Sequence, residues 1–161
     1  EGDFPFTDYL KEHNVYSDEI LASAINAYHR VKNAFLEPYP GVIPMFITLI
    51  KRGIKLGVIT DAPALKAHLR IDAMKLRGFF DVVITEAKKP DPKGFLEAVK
   101  KLKFKPEEVM MIGDWPKKDI VGAKGAGLIT CFAKYGQTED LDVKVEADYT
   151  IHRIEEIMGI I

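Results

Sequence analysis

The sequence predicts an α/β fold: an open parallel sheet with helices on both faces, preceded by a small helical piece. Three observations carry that expectation. From residue 42 onward, short apolar runs alternate with amphipathic segments of about ten residues, the pattern of crossover units that feed a parallel sheet. Polar residues able to do chemistry stand directly after three of those runs, where open parallel sheets collect ligands. The residues before that alternation have a different, purely helical character.

Taken in order, Ile20, Leu21, Ala24, Ile25, Tyr28, Val31, Phe35 and Leu36 recur at helix spacing, and Ser17 ahead of Glu19 and Ile20 supplies a start signal. The stretch Glu37-Pro38-Tyr39-Pro40-Gly41 then forces an extended connection, because proline cannot continue a helix and restricts the residue before it. It is the expected boundary between residues 1–37 and residues 38–161. Beyond it a helix over about 42–52 precedes a strand from Ile54 to Thr60. A helix over about 63–77 leads to a strand around Val82 to Thr85, and another helix covers about 93–102. A strand from Val109 to Ile112, a helix over about 117–125 and a strand from Leu128 to Phe132 follow. A short strand near Tyr149 to Ile151 and a last helix close the chain. No internal repeat or low-complexity segment interrupts this order.

The totals narrow the function classes. At 161 residues, with 47% hydrophobic and 29% charged residues, the chain has the balance of a globular domain with its own core. A formal net charge of −1 gives no electrostatic reason to expect nucleic acid or an anionic membrane as partner. Lys100, Lys101, Lys103 and Lys105 are interrupted by Leu102 and Phe104, as at the solvated end of a helix. The single cysteine, Cys131, lies in an apolar run and reads as a buried strand thiol, in keeping with a reducing compartment. No apolar stretch approaches the roughly 20 residues that span a bilayer. The first ten residues mix Glu1, Asp3 and Asp8 with Pro5, unlike a secretion signal, so a cytoplasmic protein is expected. His13, His29, His68 and His152 show no metal-ligand spacing.

The chemistry is concentrated at three strand ends. In Met111-Ile-Gly-Asp-Trp-Pro-Lys-Lys-Asp119, an apolar strand runs into Gly113-Asp114 and a second carboxylate follows at Asp119. Gly113 permits a tight turn, and a carboxylate there is a hard oxygen ligand suited to Mg²⁺. Equally, Asp114 would serve as a turn residue and Asp119 as a first-turn acid favoured by the helix dipole. Gly57-Val-Ile-Thr60-Asp61 ends a strand on a hydroxyl that can face an anion, although Asp61 would also cap the next helix. In Lys88-Lys89-Pro90-Asp91-Pro92, Pro90 holds Lys89 extended while Asp91 and Pro92 open a helix. An ammonium on so stiff a loop is a point charge for phosphoryl oxygens, and also an ordinary solvated lysine. A hydroxyl, an ammonium and an acidic pair therefore occur in sequence, each just past a different strand.

In these residues the sequence resembles the haloacid dehalogenase-like (HAD-like) hydrolases. Gly57-Val-Ile-Thr60-Asp61, Lys89-Pro90-Asp91-Pro92, and Gly113-Asp114 with Asp119 match that family's second, third and fourth motifs. The likeness extends to Pro40-Gly41, Phe79-Phe80-Asp81, Gly122-Ala123 and Ala126-Gly127. It implies a Rossmann-like core over residues 38–161 and a partial helical cap over residues 1–37. It also implies Mg²⁺-dependent hydrolysis of a small phosphorylated metabolite through an aspartyl-phosphate. Thr60 and Asp61 would bind substrate, Lys89 would offset charge on nucleophile and phosphoryl group, and Asp114 and Asp119 would serve the metal. By the same resemblance, Asp119 would coordinate less directly or orient Lys89. Thr60, Lys89 and Asp114 should then converge within about 10 Å.

The family's first motif, an aspartate-bearing strand, has no counterpart here. Asp3-Phe4-Pro5-Phe6-Thr7 imitates it, but Pro5 stands where a second aspartate belongs and only Glu1 and Gly2 precede it, so the stretch reads as a cap-region loop. The resemblance implies roughly 60–80 further residues ahead of Glu1, in line with usual domain sizes. It also implies a gap in mid-sheet, to be filled by an N-terminal segment or a strand from a second subunit, because unpaired strand edges are costly. Residues 1–161 alone should turn over little. Two rivals remain at this level: a 2-haloacid dehalogenase using the same nucleophile on carbon, and a non-catalytic α/β module.

Overall fold

The computed structural model describes residues 6–136 and 145–161. The chain divides into two compact units, Glu1–Glu37 and Pro38–Ile161.

In the first unit, helices α1 (Phe6–Glu12) and α2 (Asp18–Ala34) pair. Ser17 Oγ accepts the Ile20 N–H at 3.2 Å, the side-chain cap that the sequence signalled. Phe6 meets Tyr28 edge-on at 5.8 Å, and Leu10 is buried. Of the stretch 3–7, expected as loop, Phe6 and Thr7 belong instead to α1, whose first turn they begin; residues 3–5 lie outside the described residues.

The second unit alternates as predicted. Its helices are α3 (Val42–Lys51), α4 (Ala64–Ala73), α5 (Pro92–Leu102) and α6 (Val121–Gly125). The strands are β1 (Gly57–Ile59), β2 (Val82–Ile84), β3 (Met110–Gly113), β4 (Ile129–Ala133) and β5 (Tyr149–Ile151). All pairings are parallel, in two groups: β1 with β2, and β3–β4–β5.

Helices cover both faces, and the strand period of two explains how. On one face Met45 and Leu49 of α3 pack with Cys131, Ala133, Ile151, Ile154 and Ile157, joined by Met110 and Ile112. On the other, Phe95 and Val99 of α5 pack with Ala123, Ala126 and Leu128, joined by Val109 and Met111. Alternate residues of one strand thus serve opposite cores. A third cluster seats Ala98 and Leu102 of α5 against Val82 and Ile84 of β2. Burial pushes the Cys131 thiol pKa up to about 11, which keeps it protonated and unreactive.

Three elements differ from the sequence expectation. The first core strand is shorter, because Ile54 N–H still bonds the Leu49 carbonyl at the end of α3, and Leu56 N–H bonds the Asp81 carboxylate instead of a strand. The helix expected over 117–125 opens with a π turn, Pro116–Ile120, before α6. The last helix is a 3₁₀ segment, Ile154–Gly159. Among the described residues, no helix is long and apolar enough to cross a membrane.

Candidate active site

Parallel pairing of β1 with β2 brings the loops after Thr60 and after Ile84 side by side. Thr60 prolongs the ladder, its N–H donating to Ile84 at 2.9 Å and its carbonyl accepting from Ala87 N–H at 3.1 Å. Glu86 N–H bonds the Ala62 carbonyl at 3.1 Å, and Lys89 N–H donates to Asp61 Oδ1 at 2.8 Å. The second loop is therefore stitched to the first along its length. Glu86 and Lys88 adopt left-handed backbone (φ 52° and 56°), a conformation that non-glycine residues hold only when such bonds enforce it. Thr60 Oγ1 accepts the Ala62 N–H at 3.1 Å, which leaves its own hydroxyl proton for donation.

Asp91 Oδ1 caps α5 by accepting the Lys93 N–H at 3.0 Å, with Pro92 in the first turn, as the sequence led one to expect. Gly122 of α6 lets that helix close on this loop: a Cβ there would lie 2.9 Å from the Pro90 carbonyl oxygen and 2.5 Å from the Phe95 ring.

Past β3, the Trp115 carbonyl accepts from both Lys118 N–H (3.0 Å) and Asp119 N–H (2.7 Å). The wider π turn carries Asp119 back against the strand end, where a Cβ at Gly113 would sit 2.6 Å from the Asp119 carboxyl carbon. Only the absence of a side chain at Gly113 makes that approach possible. Asp119 is almost fully buried, at 3% exposure. Its Oδ1 accepts from Lys89 Nζ at 2.6 Å and its Oδ2 from Trp115 N–H at 3.1 Å. The Lys89 side chain is itself only 14% exposed.

A second ammonium completes the group. Lys118 Nζ lies 3.1 Å from Asp61 Oδ2 and 4.8 Å from the centre of the Trp115 ring. Both Asp61 oxygens thus have protein partners. Burial alone would raise the Asp61 pKa, but hydrogen bonds from Lys89 N–H and Lys118 and the charges of both lysines hold it below the ordinary value. The Asp61 carboxylate thus ties the loop after Thr60 to the Lys89 backbone and to the Lys118 ammonium. Asp119 likewise has one protein donor on each oxygen, and each oxygen keeps a further lone pair.

Asp114 differs from both. It forms no ion pair among the described residues, and its side chain lies so close to Gly136 that a Cβ there would come within 2.9 Å of both the Asp114 Cβ and Oδ2. Burial and the neighbouring charge of Asp119 raise its pKa, against the opposing effects of its own N–H and Lys89. A hard-oxygen donor disfavoured as a lone anion, beside another carboxylate, fits a divalent cation. Among the described residues no group of three or more His, Cys, Asp or Glu could hold a metal ion, and Asp114 could supply one oxygen ligand. Behind it, burial and nearby charges push the Tyr135 pKa up to about 12.

Thr60, Asp61, Lys89, Asp114 and Asp119 therefore gather at one end of the strands, linked by hydrogen bonds or by mutual charge. Sequence reasoning missed Lys118. The signal was present as the doublet Lys117-Lys118 inside the acidic motif, but which lysine turned inward depended on the π turn.

A family profile described as haloacid dehalogenase-like hydrolase matches residues 3–133. The chain belongs to that family. A glyceraldehyde 3-phosphate phosphatase of Methanopyrus kandleri is 37% identical over 150 residues, 89% of this chain; the chain spans 64% of that relative's length. Among solved structures, a HAD phosphatase from Thermococcus onnurineus is 33% identical with a TM-score of 0.67, over 76% of this chain and 57% of that one. A 2-haloacid dehalogenase from Pseudomonas syringae pv. Tomato is 29% identical with a TM-score of 0.64, over 76% and 52%.

Proposed function

We propose that this HAD-like chain is the larger part of a Mg²⁺-dependent phosphomonoester hydrolase acting on a small phosphorylated metabolite. The observation that carries the reading is the Lys89 ammonium, held by Asp119 at the strand ends beside Thr60 and Asp114. Similarity to a glyceraldehyde 3-phosphate phosphatase supports a short phosphorylated substrate of that kind. In this reading residues 1–37 are part of a helical cap and residues 38–161 are the core. A strand from outside residues 1–161 lies between β1 and β3, whose remaining edges have no partner strand among the described residues. A cytoplasmic setting, with its reduced thiols, suits the buried free Cys131.

That strand would carry the nucleophile. Its carboxylate attacks phosphorus in line, the ester oxygen leaves with a proton from a second acid, and water then hydrolyses the aspartyl-phosphate. The Thr60 hydroxyl donates to a phosphoryl oxygen, and Lys89 stabilises the charge that builds on phosphoryl group and nucleophile. Bound Mg²⁺ would be held in part by Asp114 and would screen the phosphoryl charge from the aspartates. Asp119 keeps Lys89 in place throughout.

The test is turnover of an aryl phosphate with Mg²⁺. Residues 1–161 alone should be nearly inactive, since charges without a nucleophile give only residual acceleration. The chain joined to its aspartate-bearing strand should be active, and Lys89→Ala in that protein severely impaired. Robust turnover by residues 1–161 alone would sink the reading. Likeness to a 2-haloacid dehalogenase favours a second reading, in which the same nucleophile attacks carbon without metal. Release of halide from a 2-haloacid, indifferent to chelation, would decide for it. Inertness of the completed protein in both assays would favour a non-catalytic module.

A further inference from the structure

We propose that Lys118 is a positioning residue: its ammonium holds the outer oxygen of Asp61, so that Asp61 can anchor the Lys89 backbone without drawing the Lys89 ammonium away from Asp119. The inference rests on the phosphohydrolase reading for its kinetic test, but its geometry stands apart from it.

Lys89 engages two carboxylates, Asp119 through its ammonium and Asp61 through its backbone N–H. Its ammonium is on Asp119 at 2.6 Å, and its charge is also felt by Asp61, which already binds its N–H. Two anions near one cation allow two arrangements, and only one keeps the ammonium on Asp119 at the end of β3. Lys118, at 3.1 Å from Asp61 Oδ2, removes the competition by satisfying the second anion. The Trp115 ring, 4.8 Å from Lys118 Nζ, steadies that ammonium by cation–π attraction. The π turn is what allows adjacent residues to face different partners, Lys118 towards Asp61 and Asp119 towards Lys89.

The Lys118–Asp61 pair is 39% and 32% exposed, so its own contribution to stability is small. Position, not stability, is what its loss should change. In the protein completed by its aspartate-bearing strand, Lys118→Met should lower kcat on an aryl phosphate about tenfold, as misplacement of a charged group does, with KM altered less than about twofold. Melting should shift by no more than about 3 °C. Lys118→Arg should restore most of the rate. In an Asp61→Asn background, where the amide oxygen still accepts the Lys89 N–H but carries no charge, Lys118→Met should cost less than about twofold further.

A wild-type rate in Lys118→Met would overturn the proposal, as would an undiminished loss in the Asp61→Asn background. If the completed protein hydrolyses no phosphate ester, the function has failed and the positioning role is decided by ¹⁵N NMR of the Lys89 ammonium. That signal should change in Lys118→Met and return in the double variant; an unchanged signal in Lys118→Met refutes the role.

Discussion

Replacing Lys89 by methionine should destabilise the fold, quite apart from any effect on catalysis. Methionine matches the length of the lysine stem but carries no charge, so Asp119 is left buried with one oxygen unpaired. Breaking a buried ion pair by removing one partner costs about 3–5 kcal/mol, because the remaining charge keeps its desolvation penalty. The pair here is 14% and 4% exposed at 2.6 Å, and Asp119 Oδ2 retains the Trp115 N–H. Those two facts pull in opposite directions, and the lower end, about 3 kcal/mol, is expected. At roughly 2–4 °C per kcal/mol for a chain of this size, the midpoint should fall by roughly 6–12 °C. Urea unfolding followed by circular dichroism should show a lower midpoint with an unchanged slope. The double variant Lys89→Met with Asp119→Asn should recover at least half of the loss, since no stranded charge remains. A single-variant loss below about 1 kcal/mol, or a double variant no better than the single, would refute the buried-pair account.

Further outcomes follow from the same geometry. Gly113→Ala should unseat Asp119, whose carboxyl carbon a new Cβ would approach to 2.6 Å, and should lower kcat of the completed enzyme more than it raises KM. Phe95→Ala, at a fully buried ring, should cost about 3–5 kcal/mol in chemical unfolding. Asp148 accepts the Thr130 N–H at 2.8 Å and hydroxyl at 2.6 Å, bonds that hold its pKa below the ordinary value. A depressed folded pKa gives stability that is present above the ordinary carboxylate range and is lost as pH falls through the folded value. Asp148→Asn should therefore flatten the acid limb of the stability–pH curve; an unchanged limb would count against the linkage. Mg²⁺ should bind residues 1–161 weakly, and calorimetric binding at micromolar concentrations would contradict the partial metal site.

The core layout was legible in the sequence because hydrophobic period and strand-end chemistry are local signals. Met110 and Ile112 against Val109 and Met111 display the alternation that two-sided burial demands. The placement of Thr60, Lys89 and Asp114 was legible because Thr60 and Asp114 directly follow apolar strands and Lys89 lies in the loop after a third, and parallel pairing leaves such loops on one edge. The pairings among them were less accessible. Asp61 resembled a helix cap or a ligand, yet its oxygens go to Lys89 N–H and Lys118. Those bonds join residues 28 and 57 positions apart, and no periodicity encodes them. Nor does composition announce a π turn, which is set by the need to bring Asp119 against Gly113 while Pro116 opens the turn. The shortened first strand depended on Asp81, whose carboxylate takes up the Leu56 N–H.

Charge at the strand ends gives these details a common purpose. Asp61 is matched by Lys118 and Asp119 by Lys89, each pair within 3.1 Å. Asp114 forms no ion pair with a lysine or arginine among the described residues, and burial with the Asp119 charge raises its pKa. A phosphate monoester brings further negative charge to such a site. The Lys89 ammonium, held by Asp119, would offset part of that charge. In the proposed reading a bound cation would offset the rest, with Asp114 as one of its ligands. The paired lysines also fix the loops: Lys118 and the Lys89 N–H hold Asp61, and the Lys89 ammonium holds Asp119 against the end of β3.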